Sequence, residues 1–159
     1  MERLWAPWRM KYIVGEENDR CIFCLPEGDN DDRSELILCR GSKSFVMMNR
    51  YPYNNGHVMV VPYRHVGHIE DLDDAESLDL TKLIRHAVTS LRKVLNPHGF
   101  NVGMNLGQVA GAGIVDHIHV HIVPRWDGDT NFMPVLSDTK VINEELEETY
   151  DKLREKFQI

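Results

Sequence analysis

Nowhere does this chain approach the ~20 consecutive apolar residues of a membrane-spanning helix. Its opening, Met1-Glu2-Arg3-Leu4-Trp5-Ala6-Pro7-Trp8-Arg9-Met10, holds no extended apolar segment of the kind a secretory signal carries. The expectation is a soluble, cytoplasmic protein with no membrane partner. Cysteine is scarce too: Cys21, Cys24 and Cys39 are too few and too odd in number for a disulfide framework. Positive charge is in deficit, with 18 Lys and Arg against 25 Asp and Glu and a formal net charge of −7. A protein that grips a nucleic-acid backbone needs the opposite balance, so no nucleic-acid partner is expected. A nucleotide held in a small, locally polar site stays compatible with that charge. No internal repeat is present, and 159 residues suit one domain around one core.

What the chain does have is histidine in a row. In Asp116-His117-Ile118-His119-Val120-His121-Ile122-Val123-Pro124-Arg125 three histidines alternate with apolar residues. That period of two is the pattern of a strand with one buried face. It puts His117, His119 and His121 on one face, neighbours roughly 6.5–7 Å apart, and sends Ile118, Val120 and Ile122 into a core. A single strand histidine is most often structural. Three imidazoles in line make poor packing material, because each carries two polar nitrogens and titrates near neutrality. This spacing marks a functional strand.

Around it the chain reads as strands at about 35–39, 44–48 and 57–62, a long helix, strands at about 100–105 and 116–123, then a last helix. Asp73 and Glu76 form an N-cap signature for the long helix, and Leu80, Leu83, Ile84, Ala87, Val88, Leu91, Val94 and Leu95 form its apolar stripe. Asn96-Pro97-His98-Gly99 ends it. The last helix begins near Asn143, with Leu146, Tyr150, Leu153 and Phe157 on one face. Its acidic start and its later Lys152, Arg154 and Lys156 match the helix dipole. The order implies an α+β fold, a mainly antiparallel sheet packed by one long helix. The acidic run Glu27–Asp32 reads as a solvated loop and Cys39 as a buried core thiol. A lone C-x-x-C offers zinc two of the four N/S ligands it prefers, or it is a reduced, metal-free pair.

The heptad His117-Ile118-His119-Val120-His121-Ile122-Val123 resembles the signature of the histidine triad (HIT) family, His-φ-His-φ-His-φ-φ with φ apolar. Phe45–Asn49 followed by Asn55–Pro62 looks like the family's paired strands framing a nucleoside pocket, and Asn105-Leu106-Gly107 like its substrate-side loop. The resemblance spans about residues 21–126, so the whole chain, 1–159, is expected to be a single HIT domain with branch-specific extensions at both ends. Trp5–Ile13, the C-x-x-C pair and Pro124-Arg125-Trp126 with Gly128, Asp129, Asn131 and Phe132 are similar to a bacterial branch that includes diadenosine tetraphosphate phosphorylases. One stretch departs from the family. Where many members carry Gly-Gln-Ser/Thr-Val before the triad, this chain has Gly111-Ala112-Gly113-Ile114-Val115. Backbone N–H groups there, at Gly113 for example, or the side chains of Asn105 and Gln108 are the candidate phosphate contacts.

The resemblance implies an enzyme that transfers a nucleotidyl group from a dinucleoside polyphosphate, a purine nucleotide substrate. His119 would attack the α-phosphate to form a covalent AMP adduct, resolved by phosphate or by water. His121, with His57 and His117, would support the charge and protonate the leaving group. Asn49 is either a ribose ligand or a turn residue ahead of Tyr51-Pro52, and Trp126 either closes over substrate or packs beside Pro124. In zinc-bearing relatives two histidines complete the C-x-x-C set, and the matching positions are His65 and His117. The implied zinc is structural, on Cys21, Cys24, His65 and His117, and no organic cofactor is implied. Many relatives pair, so a homo-oligomer, dimer or higher, is expected. Three other readings stand beside this one: a hydrolase of nucleoside phosphoramidates or adenylylated compounds, a metal-dependent hydrolase with the metal on the triad, and a nucleotide-binding module without catalysis. His68, His86 and His98 read as surface or helix residues to which no role is assigned.

Overall fold

The structure is a computed structural model that describes residues 21–25, 31–129 and 141–158. Five strands form one antiparallel sheet: β1 (Ile37–Arg40), β2 (Ser44–Met48), β3 (Val58–Pro62), β4 (Gly99–Gly103) and β5 (Val120–Arg125). Their spatial order is β1-β2-β3-β5-β4, so β3 is central, flanked by β2 and β5. Helix α1 (Asp74–Leu95) crosses the sheet and α2 (Leu146–Arg154) packs beside it. This is the α+β architecture read from the sequence. No helix among the described residues is long and apolar enough to cross a membrane.

The pleat divides the strand residues between two faces. Val46, Met48, Val58, Val60, Val120 and Ile122 face the helices and pack with Leu80, Leu83, Ala87 and Leu91 of α1 and Tyr150 and Leu153 of α2. The alternate residues Phe45, Met47, Met59 and Val61 form a second buried cluster on the other face with Ile37 and Phe23. Met59 stands opposite His121 in the register, which puts the triad face over this second cluster.

Helix α1 starts where a full capping box closes: the Glu76 N–H donates to Asp73 Oδ1 at 2.7 Å and the Asp73 N–H to Glu76 Oε2 at 3.0 Å. Arg64 adds two charge-assisted bonds to the same Glu76 carboxylate, both 2.7 Å, and holds that carboxyl down to about 2. Asn96, left-handed at φ 47°, ends the helix as expected. Helix α2 begins at Leu146, three residues after the expected start, and seals the β1 edge. Tyr150 Oη donates to the Ile37 carbonyl at 3.0 Å and Arg154 Nη1 to that of Leu38 at 2.6 Å. Cys39 is buried, and burial pushes its thiol up to about 12. Asp31 and Asp32 are the described part of the acidic loop, and Asp32 is ion-paired with Arg40 at 2.7 Å instead of merely solvated.

The largest shift from the expected boundaries concerns β5, which starts at Val120 and not at Asp116. Its neighbour β3 ends at Pro62, which has no N–H to extend the ladder. Upstream of Val120 the chain leaves the sheet register and is held differently: the Ile118 N–H donates to the Val66 carbonyl at 2.7 Å. His117 and His119 therefore sit in the segment that leads into the strand, and His121 alone of the three lies in it.

Candidate active site

Backbone hydrogen bonds choose the tautomers of His117, His119 and His57, and His57 in turn chooses that of His121. Nε2 of His117 lies 2.8 Å from the Pro62 carbonyl, an acceptor only, so this nitrogen carries the proton and Nδ1 keeps its lone pair. In His119 the arrangement is reversed. Nδ1 lies 3.0 Å from the His117 carbonyl and must donate, which leaves the lone pair on Nε2. The Tyr53 N–H donates to Nδ1 of His57 at 3.1 Å, so a neutral His57 is protonated at Nε2. That nitrogen lies 3.0 Å from Nδ1 of His121, which accepts, and the His121 proton is thereby placed on its own Nε2. Of the four imidazole lone pairs in the group so assembled, the one left unengaged among the described residues is that of His119 Nε2, next to a ring that presents an N–H, on His121. Their ring centroids are 4.8 Å apart and nearly perpendicular.

Burial keeps these rings neutral. Desolvation, with the neighbouring imidazoles His121 and His119 adding to it, pushes His57 down to about 3. Burial, then His119, brings His121 to about 4. His119 and His117 are lowered by burial as well, against the opposing pull of the carbonyls to which they donate. Unfolded histidines titrate near 6.5, so below that pH the unfolded chain binds protons that the folded site refuses. Stability is therefore complete above pH 6.5 and lost as the pH falls toward about 4, at up to about 1.4 kcal/mol per pH unit for each such histidine. Urea unfolding midpoints measured down this range are expected to fall steadily. A flat profile would mean that the rings are charged in the folded state.

His117 belongs to a second group as well. Its Nδ1 lone pair faces Cys21 Sγ at 3.4 Å and Cys24 Sγ at 3.7 Å, and His65 Nδ1 is 3.3 Å from Cys24 Sγ. The four ligand atoms lie within 4.8 Å of one another. A tetrahedral ion with bonds near 2.0–2.3 Å separates its ligands by roughly 3.3–3.8 Å, so this N₂S₂ set can hold a metal. The His119 and His121 nitrogens are not members of the cluster.

Between the two cysteines, Phe23 is turned inward. It is 3% exposed and packs against both His119 and His117, with centroids 4.8 and 5.6 Å away. A residue inside a C-x-x-C gives no periodic signal, so sequence reasoning passes over it. The Tyr53 N–H and the Pro62 carbonyl escape it too, because backbone donors and acceptors have no side-chain signature. Asn54, 7% exposed, donates from Nδ2 to the Pro124 carbonyl at 2.9 Å and to Asp129 Oδ2 at 2.8 Å. Asp129 also accepts from the Trp126 N–H at 3.2 Å and from Arg125 Nε at 2.7 Å, which knots the end of β5 to the loop that carries His57.

The other sequence candidates lie in the segments that follow β2, connect β4 to β5 and follow β5. Asn49 ends the segment after β2 and spends its Oδ1 on the Tyr51 N–H at 2.8 Å, making the turn; its backbone N–H donates to the His57 carbonyl at 3.0 Å. Asn105 Nδ2 reaches the Gly111 carbonyl at 3.4 Å and braces the glycine-rich loop. Gln108 and Gly113 stand exposed on that loop, with open space where a Cβ on Gly113 would lie. Trp126 is half-buried just beyond β5. The N-terminal Trp5–Ile13 segment, Asn131 and Phe132 lie outside the described residues.

This fold and this histidine constellation define a class. The HIT domain model matches residues 32–128, and the chain belongs to the histidine triad family. It is 41% identical over 157 residues to the "AP-4-A phosphorylase" of Mycobacterium tuberculosis, covering 94% of this chain and 80% of that protein. It is 32% identical over 117 residues to the "Bis(5'-nucleosyl)-tetraphosphatase [asymmetrical]" of Schizosaccharomyces pombe, covering 74% of this chain and 60% of that one. In three dimensions it superposes with a TM-score of 0.63 on a Zn-bound histidine triad family protein from Mycobacterium smegmatis, at 23% identity over 77% of this chain and 83% of that one.

Proposed function

We propose that this chain is a dinucleoside tetraphosphate phosphorylase. The observation that carries the reading is the tautomer set: a free lone pair on His119 Nε2 beside a donor N–H on His121. His119 Nε2 attacks the α-phosphorus, the Nε2–P bond forms and the bond to the bridging oxygen breaks. The nucleoside triphosphate leaves as His121 Nε2–H donates toward the departing oxygen, while His57 Nε2–H supports the other nitrogen of His121. An oxygen of inorganic phosphate then attacks the same phosphorus and releases ADP, and His119 regains its lone pair. Similarity to a relative named as a phosphorylase over nearly the whole chain favours phosphate over water as the acceptor. Positioning and fixed dipoles carry most of the rate enhancement in such a transfer.

In this reading Asn49, whose Nδ2 is left after the turn is made, holds the ribose, and Asn105, Gln108 and the backbone at Gly113 surround the phosphates, with Trp126 closing over the substrate. Cys21, Cys24, His65 and His117 hold zinc. With four N/S ligands such an ion would be structural, tying Cys21 and Cys24 to His65 and His117. Thiolate ligands suit a reducing compartment, in keeping with a cytoplasmic location. The residues at 101–103 of the outer strand β4 are exposed, and that open edge supports self-assembly.

Product analysis tests the function. With diadenosine tetraphosphate, ADP and ATP are expected only when inorganic phosphate is present. AMP and ATP with or without phosphate would make the enzyme a hydrolase. Turnover of adenosine phosphoramidate alone would move it to the phosphoramidate-cleaving class.

A further inference from the structure

A nucleophile has to be aimed as well as deprotonated. Among the described residues, the one hydrogen bond recorded for the His119 side chain is Nδ1–H to the His117 carbonyl. One bond sets the tautomer and anchors one corner of the ring, but leaves the ring free to swing about the N···O direction. Packing has to stop the swing. His119 has two aromatic neighbours at 4.8 Å, His121 and Phe23. His121 is partly exposed, and its own ring is held through His57. Phe23, at 3% exposure, is backed by Ile37, Phe45, Met47, Met59 and Val61, residues of three strands that cannot yield without disturbing the sheet.

We infer that Phe23 is a positioning residue for His119, and that the Cys21–Cys24 turn is what sets it. The inference rests on His119 being the nucleophile proposed above. The turn closes with the Cys24 N–H donating to the Cys21 carbonyl at 3.0 Å. In that conformation Ile22 projects outward, 53% exposed, and Phe23 inward, while both sulfurs face His65 and His117. The four residues thus do two jobs at once: two sulfurs make half of a metal site and one ring makes a wall of the active site. The metal cluster reaches His119 by two routes, through the His117 carbonyl that accepts from Nδ1 and through the Phe23 ring. A nucleophile displaced by about 1 Å can lose on the order of a hundredfold in rate, so a wall at this contact matters.

The test compares Phe23→Ala and Phe23→Leu with Leu153→Ala, a fully buried residue of α2 in the core on the other face of the sheet. The readouts are bound metal per chain, the ¹⁵N signature of the His119 imidazole, and kcat and KM separately. Phe23→Ala is expected to retain the parent's metal content and KM, with kcat reduced roughly 10- to 100-fold. Its His119 nitrogens are expected to leave the single Nδ1–H pattern for an averaged one. Phe23→Leu, which keeps most of the volume, is expected to recover part of kcat and of the ¹⁵N pattern, and it decides the matter if the alanine variant does not fold. Leu153→Ala is expected to lower the melting temperature while leaving the ¹⁵N pattern and kcat close to the parent's. An unchanged His119 signature in the Phe23 variants, or a kcat loss no larger than that of Leu153→Ala, overturns the inference. If the parent turns over no dinucleoside polyphosphate, the proposed function fails, and the ¹⁵N readout still decides whether Phe23 aims His119.

Discussion

His119→Ala is expected to abolish turnover, by at least about a thousandfold, in a protein that still folds and still binds its metal. The size of the loss follows from what the side chain does. Among the described residues it supplies the one imidazole lone pair in the group that no thiol, backbone N–H or neighbouring imidazole engages. No neighbour can stand in: Nδ1 of His121 accepts from His57, and Nδ1 of His117 faces the two sulfurs. Folding should survive, because the ring's one hydrogen bond goes to a carbonyl two residues away and the strand ladder begins only at Val120. The metal should survive too, since His119 contributes no ligand atom to the cysteine–histidine cluster. The experiment is a paired measurement of kcat and metal content on the same preparation. Loss of both together would instead place a catalytic metal on the triad, and full retention of activity would remove His119 from the chemistry altogether.

Much of this site was legible because its signals are periodic or local. Strict alternation from His117 to Ile122 is enough to single out the three imidazoles, although only His121 of them lies in the strand that the period predicts. The cap of α1 was equally legible, because Asp73 and Glu76 satisfy each other's backbone within a single turn. What stayed hidden depends on partners distant in sequence. The late start of β5 is caused by a proline in β3, some 58 residues upstream of Val120, whose missing N–H says nothing about the chain it fails to bond. The His57–His121 pair is tuned by the N–H of Tyr53, and any residue type could supply that donor. Phe23 was invisible for another reason: between two cysteines an aromatic residue belongs to no apolar stripe. The metal set lies between these cases. The C-x-x-C is local and readable, whereas His65 and His117, 52 positions apart, entered by resemblance and are brought together by the fold.

Cys21→Ser is expected to lose the metal and, with it, a large part of the protein's thermal stability. The cluster ties three separate pieces of chain: the turn at Cys21 and Cys24, His65 beyond β3, and His117 ahead of β5. An ion that binds the folded chain alone, at a thousandfold over its dissociation constant, stabilises by about 4 kcal/mol. For a chain of this size each kcal/mol moves the melting temperature by about 2–4 °C, so the drop should be on the order of 8–16 °C. Chelation of the parent protein should reproduce it, and zinc should restore the parent but not the variant. The sheet core keeps both forms folded at room temperature, because Val46, Val58, Val60 and Ile122 are buried against α1 without help from the cluster. Activity should fall by a smaller factor than in His119→Ala, roughly ten- to a hundredfold, since Nε2 of His117 still donates to Pro62 and its carbonyl still accepts from His119. That ordering is the informative result. A Cys21→Ser protein as inactive as His119→Ala would mean that the ion takes a direct part in the reaction, and one with unchanged melting temperature would mean that the four residues hold no metal at all.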